Sequence, residues 1–206
     1  SNEIMECYFA AFKIGAVAVP LNYRLVAAEM EFILGNCEAG ILIYDAELQS
    51  TLAKINWANT LVKRQISVGP SGKYESWISG QAQTEPLIFL EEEDPAVIMY
   101  TAGTTGKPKG AVLTHKNFYV NITNWITVLQ VTENDCWFGP PPLFHIAALS
   151  GVLPHIFVGG KNVITRNYRT LEALKLIEKE KVTGLLLIPT MWVDFLQLKE
   201  LESYDT

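Results

Sequence analysis

Apolar residues recur at helical spacing over residues 3–14 until Gly15 interrupts them, and residues 16–20 (AVAVP) have the length and proline ending of a short strand. The pattern then repeats. Residues 27–34 read as a helix closed by Gly35 and Asn36, and residues 40–44 (GILIY) as a buried strand. Residues 46–55 predict a third helix and residues 61–68 another strand, while the polar, glycine-punctuated stretch 69–85 predicts an exposed connection. Ala96, Val97, Ile98 and Met99 form a strand-like run. Residues 110–115 (GAVLTH) are short and rich in β-formers, with Thr114 placed to cap a helix over residues 116–131. Farther on, the pattern predicts a helix over residues 143–157, a strand at 161–165, a helix over 171–181 and a fully apolar strand at 184–188. Strands separated by helices imply an α/β fold of mostly parallel sheets with flanking helices.

Composition narrows the picture without changing it. A chain of 206 residues that is 49% hydrophobic can build a core by burial alone. A formal net charge of −6 with no dense Lys/Arg cluster argues against a general nucleic-acid or anionic-membrane surface, so any bound anion must be gripped locally. Cys7, Cys37 and Cys136 are far apart, odd in number and without a CxxC pair, which argues against a disulfide framework or a zinc site and for a reducing cytoplasm. Residues 136–160 carry no Asp, Glu, Lys or Arg and have the length of a membrane span. Three consecutive prolines, Pro154 and two histidines would leave polar groups unsatisfied in lipid, so this stretch reads as buried chain and no transmembrane segment is expected.

The chemistry concentrates between the two strands flanking residue 105. Residues 100–110 read YTAGTTGKPKG, with three glycines, three threonines and two lysines. The spacing of Gly103, Gly106 and Gly110 does not fit a Walker A loop, and Lys107 is followed by Pro108. A loop between strands must meet an anion with its own groups. Gly103 and Gly106 let successive N–H groups turn inward, Thr101, Thr104 and Thr105 add hydroxyl donors, and Lys109 adds a mobile charge. Such a loop is suited to clasping a triphosphate.

At this point the residues resemble a known family. MYTAGTTGKPKGAVLTHKN is similar, position by position, to the phosphate-loop signature of the adenylate-forming, AMP-binding superfamily of acyl-CoA synthetases, luciferases and adenylation domains. PPLFHIAAL (residues 141–149) resembles its second core motif, VTGLLLIPTMWVDFL (182–196) its strand-Pro-helix element, and GAVAVPLNYRL its N-terminal region. The resemblance spans the chain and is greatest to fatty-acid and other acyl-CoA synthetases.

The resemblance implies a ligase that uses Mg-ATP to activate a fatty or other hydrophobic carboxylic acid as an acyl-adenylate, then forms a thioester with CoA. It implies nucleotide binding by Thr101, Gly103, Thr104, Thr105, Gly106 and Lys109, with Lys109 also stabilising the leaving pyrophosphate. It places His145 beside the acyl carboxylate and α-phosphate, although a lone histidine in an apolar stretch also fits a core residue. His115 suggests only local bonding at a helix start, and His155 belongs to no motif. Residues 146–152 fit either an acyl pocket or ordinary core. Segments resembling the family's adenine, ribose, hinge and distal-lysine motifs are not found, so residues 1–206 are expected to be a fragment of the large N-terminal domain, without the C-terminal domain, inactive alone and prone to self-association. An amino-acid-activating domain and a noncatalytic nucleotide-binding scaffold are the alternatives.

Overall fold

The computed structural model describes residues 1–101 and 107–204 and divides into two compact units, one of residues 7–114 and the other of residues 1–6 with the chain from 115 onward. In the first unit, α1 (Asn2–Ile14) contributes most of its length and ends at Gly15, whose φ of +68° is the left-handed turn glycine adopts freely. The Ala16 N–H then reaches back to the Ala11 carbonyl at 3.0 Å. Residues 16–20 form no strand of their own. Ala18 alone pairs, through a parallel bridge to Val97 whose two hydrogen bonds are both 2.9 Å, because Pro20 removes the next donor.

α2 (Ala27–Asn36) begins where Glu29 accepts the Val26 N–H at 3.0 Å. Its Met30 and Leu34 pack on Leu42 of β1 (Ile41–Asp45) and on Leu52 and Ile55. β1 pairs in parallel with β2 (Arg64–Val68). The helix expected over 46–55 is broken. Asp45 accepts the Glu47 N–H and starts a 3-10 turn, only Gln49–Leu52 (α3) is α-helical, and the chain leaves it through i→i+3 bonds at Lys54 and Ile55. The connection expected over 69–85 contains a helix, α4 (Tyr74–Ser79). Tyr74, Trp77 and Ile78 share one face, and Tyr74 is buried. β3 (Pro95–Thr101) and β4 (Lys109–Thr114) form an antiparallel hairpin.

The second unit opens with α5 (His115–Leu129), directly after Thr114. β5 (Cys136–Phe138), too short to show in the pattern, is the middle strand of a parallel sheet ordered β6-β5-β7, with β6 at Lys161–Val163 and β7 at Gly184–Leu185. β6 and β7 are shorter than expected. Beyond Leu185 the apolar run serves as core, Leu187 packing with Phe138, Leu174, Ile177 and Phe195. α6 (Ile146–Phe157), α7 (Thr170–Glu180) and α8 (Pro189–Leu196) complete the unit. α6 starts three residues later than expected, after the prolines and a turn closed by His145 N–H on the Pro142 carbonyl at 2.9 Å. Within it Leu149 and Val152 are buried, and no helix among the described residues is long and apolar enough to cross a membrane.

Asp135 ties the sheet's entry together. One carboxylate oxygen accepts the Thr132 N–H and hydroxyl at 2.8 and 2.9 Å, and the other accepts the Thr183 hydroxyl at 2.8 Å. The Thr132 N–H, then the Thr183 hydroxyl, hold this carboxyl below its ordinary value. A depressed folded-state pKa stabilises above the unfolded value and loses that contribution as pH falls through the folded value. Asp135→Asn is therefore expected to cost about 1 kcal/mol or less at neutral pH, since solvent screens the site, with the gap closing in acid. Paired urea titrations across pH check this.

Candidate active site

The β3–β4 hairpin carries the described part of the Gly/Thr-rich segment. Its ladder brings Thr101 and Lys109 into register as a cross-strand pair, and both are exposed. Cross-strand partners project from the same face of a hairpin, so a hydroxyl donor and an ammonium stand side by side at the loop end of the ladder. Gly103, Thr104, Thr105 and Gly106 lie outside the described residues. The next pair along, Tyr100 and Gly110, faces the opposite side. Lys107 is distinguished from Lys109 by its surroundings, its ammonium lying 5.8 Å from the centroid of the Phe32 ring.

The second unit places His145 at a different kind of position. β5 lies between β6 and β7, so the sheet order reverses around it. Ligands of parallel α/β sheets gather beyond the carboxyl ends of strands at such a reversal. Gly139, the three prolines and the turn to His145 leave from that end of β5. His145 is exposed and is the N-cap of α6, with extended backbone (φ −107°, ψ 139°). Its Nδ1 accepts the Ala147 N–H at 3.2 Å, which puts the proton of the neutral ring on Nε2 and makes Nε2–H the donor left for a carboxylate or phosphate oxygen.

The core histidine of this chain is His155. Its ring is 3% exposed, bonds the Gly151 carbonyl through Nδ1 at 2.8 Å and stacks on Trp137 at 5.1 Å between centroids. Of residues 146–152, Ala148, Leu149, Gly151 and Val152 are buried, whereas Ile146 is exposed beside His145. His115 is the first residue of α5. The structure thus pairs Thr101 with Lys109 in one unit and sets His145 at a helix start in the other. The sequence marks Asn36 only as a helix terminator and Lys107 only as the residue before Pro108, and gives Phe32 and Tyr100 no role, yet Tyr100 bonds Asn36 and Lys107 lies over Phe32 beside the loop end of the hairpin.

The chain is 32% identical over 192 residues to the long-chain-fatty-acid–CoA ligase FadD13 of Mycobacterium tuberculosis, an alignment covering 88% of the chain and 36% of that relative. It is 33% identical over 190 residues to a feruloyl-CoA synthase of Amycolatopsis sp, covering 91% of the chain and again 36% of the relative. The chain therefore spans little more than a third of these relatives' length. The N-terminal domain of FACL13 from Mycobacterium tuberculosis, in an inhibitor-bound crystal structure, superposes with a TM-score of 0.92 at 29% identity, over 100% of the chain and 52% of that structure's chain. The family model for AMP-binding enzymes matches residues 1–206, and the chain belongs to that family.

Proposed function

We propose that the protein containing this chain is an acid–thiol ligase that activates a hydrophobic carboxylic acid with ATP and passes the acyl group to CoA. The observation that carries this reading is the Thr101–Lys109 pair at the end of the ladder next to the connection between β3 and β4, within the segment that resembles the superfamily's phosphate loop. A substrate carboxylate oxygen attacks the α-phosphorus of ATP, the bond from that phosphorus to the α,β-bridging oxygen breaks, and pyrophosphate leaves with the electron pair on that oxygen. The CoA sulfur, as thiolate, then attacks the acyl carbon and AMP departs.

Charge accumulates on the pyrophosphate as it leaves, so donors already set around it stabilise the transition state more than the ground state. Thr101 and Lys109, with Gly103, Thr104, Thr105 and Gly106, are assigned that task. The donor set fits a polyphosphate, because the described pair offers a hydroxyl and a cation and no carboxylate. Mg²⁺ would enter with the nucleotide, bound to its phosphates. His145 is assigned to orient the carboxylate through its Nε2–H. The relatives' names, a long-chain fatty acid ligase and a feruloyl-CoA synthase, favour a hydrophobic acid.

ATP–pyrophosphate exchange by the full-length protein over a panel of fatty, aromatic and amino acids tests the reading. Exchange stimulated by hydrophobic acids is expected. Stimulation by amino acids alone would move the assignment to an amino-acid-activating domain, and no exchange with any acid would leave a nucleotide-binding scaffold.

The cap makes His145 a residue with two separable jobs. His145→Ala is expected to lower exchange about 10- to 100-fold, within the range of a lost positioning group. It should also cost about 1 kcal/mol of stability from the lost cap. His145→Asn is expected to restore the melting temperature while leaving exchange low. Recovery of both by asparagine would show that the residue only caps α6.

A further inference from the structure

Two residues one turn apart on α2 reach the hairpin on either side of positions 102–106. On the incoming strand, the Tyr100 hydroxyl donates a 2.5 Å hydrogen bond to Asn36 Oδ1. On the outgoing side, the Lys107 ammonium rests over Phe32 at cation–π distance. Phe32 and Asn36 are four residues apart and so share a face of the helix.

The helix that offers them is itself fixed. Met30, Ile33 and Leu34 are buried. The Glu31 carboxylate accepts the Asn56 N–H at 2.8 Å and an Asn59 Nδ2–H at 2.6 Å. An added Cβ on Gly35 would lie 2.5 Å from the Asn59 carbonyl oxygen, so α2 is pressed against that turn.

Gly110 completes the arrangement from within the hairpin. It is the cross-strand partner of Tyr100, and an added Cβ would lie 3.1 Å from Tyr100 Cζ and 2.7 Å from Ile98 Cγ2. The phenol can lie across the hairpin toward Asn36 because its partner has no side chain. Burial, with Cys37 adding to it, raises the Tyr100 phenol above its ordinary value and keeps it a donor.

We propose that Asn36, Phe32, Tyr100 and Gly110 are positioning residues that seat the phosphate-binding hairpin on α2, leaving its opposite face, with Thr101 and Lys109, turned to the nucleotide. This rests on the reading of the hairpin as the triphosphate site. It divides the two lysines: Lys107 is a strut held by Phe32, and Lys109 is the phosphate ligand. None of the four touches substrate in this scheme. They act by holding Thr101 and Lys109 in the geometry that the leaving pyrophosphate requires.

The test is exchange kinetics of the full-length protein carrying Asn36→Ala, Tyr100→Phe, both together, or Asn36→Asp, with Lys109→Ala as reference. Asn36→Ala and Tyr100→Phe are each expected to raise KM for ATP about three- to tenfold, the scale of one lost hydrogen bond, with KM for the acid unchanged. The double variant should be no worse than either single, since both remove the same bond. Asn36→Asp should restore KM, because a carboxylate still accepts the phenol proton. Additive losses, or a lowered melting temperature with KM for ATP unmoved, would overturn the proposal. If Lys109→Ala leaves exchange intact, the triphosphate reading itself fails and this inference falls with it.

Discussion

Lys109→Ala in the full-length protein is expected to slow ATP–pyrophosphate exchange by two to three powers of ten, about 3 to 4 kcal/mol of transition-state stabilisation. Lys109 is exposed, stands opposite Thr101 and belongs to the hairpin face turned away from Tyr100 and its α2 partner, so removing it deletes a charge without opening a core. Its melting temperature should therefore stay close to the parent's. Transfer from preformed acyl-adenylate to CoA should change far less, because pyrophosphate has already left. Lys107→Ala is the contrasting variant. A loss at Lys107 as large as that at Lys109 would contradict their different surroundings, and equal damage to both half-reactions by Lys109→Ala would make that lysine structural.

The contrast between the lysines also shows where sequence reading stops. The hairpin was legible because its strands are runs of β-formers around a segment too rich in glycine to be anything but a turn. Lys109 is proposed as the phosphate ligand from its mobile charge after Pro108 and from the family resemblance. What Lys107 does was not legible, because Phe32 lies 75 positions earlier in a stretch whose pattern says only that it is helical. Asn36 read as a helix terminator, which it is, and its bond to Tyr100 spans 64 positions. Gly110 was the one local signal: a glycine inside a strand marks a close approach.

Strand lengths were misjudged for a related reason. Residues 184–188 are uniformly apolar, yet only Gly184 and Leu185 pair with β5, because apolarity reports burial, and Leu187 is buried by side chains of α7 and α8. β5 was missed because three residues ahead of three prolines give no period to read. The histidines were likewise sorted by contact: His155 had no motif and is core, whereas His145 sat in an apolar run and is exposed.

The core around His155 yields the largest expected change in stability. Trp137 is 4% exposed, meets Trp125 edge-on at 5.5 Å and stacks on His155. Its indole lies where glycines leave room: an added Cβ would come within 2.8 Å at Gly139, 2.3 Å at Gly151 and 3.0 Å at Gly184. Trp137→Ala removes the shared neighbour of both helix α6 and the sheet, and is expected to cost about 3 to 5 kcal/mol. Gly151→Ala decides between two opposed effects. Alanine favours a helix interior over glycine by about 1 kcal/mol, while forcing a methyl against a closed-in ring costs about 1 to 3 kcal/mol. With contacts of 2.3 to 2.6 Å to three atoms of a ring boxed on several sides, overpacking should win, and Gly151→Ala should destabilise the parent. In a Trp137→Leu background the obstruction is gone but the helix preference remains, so the same substitution should become neutral or stabilising. Urea midpoints of the four proteins measure the coupling directly. An identical cost of Gly151→Ala in both backgrounds would mean that the indole does not set the spacing between α6 and the sheet.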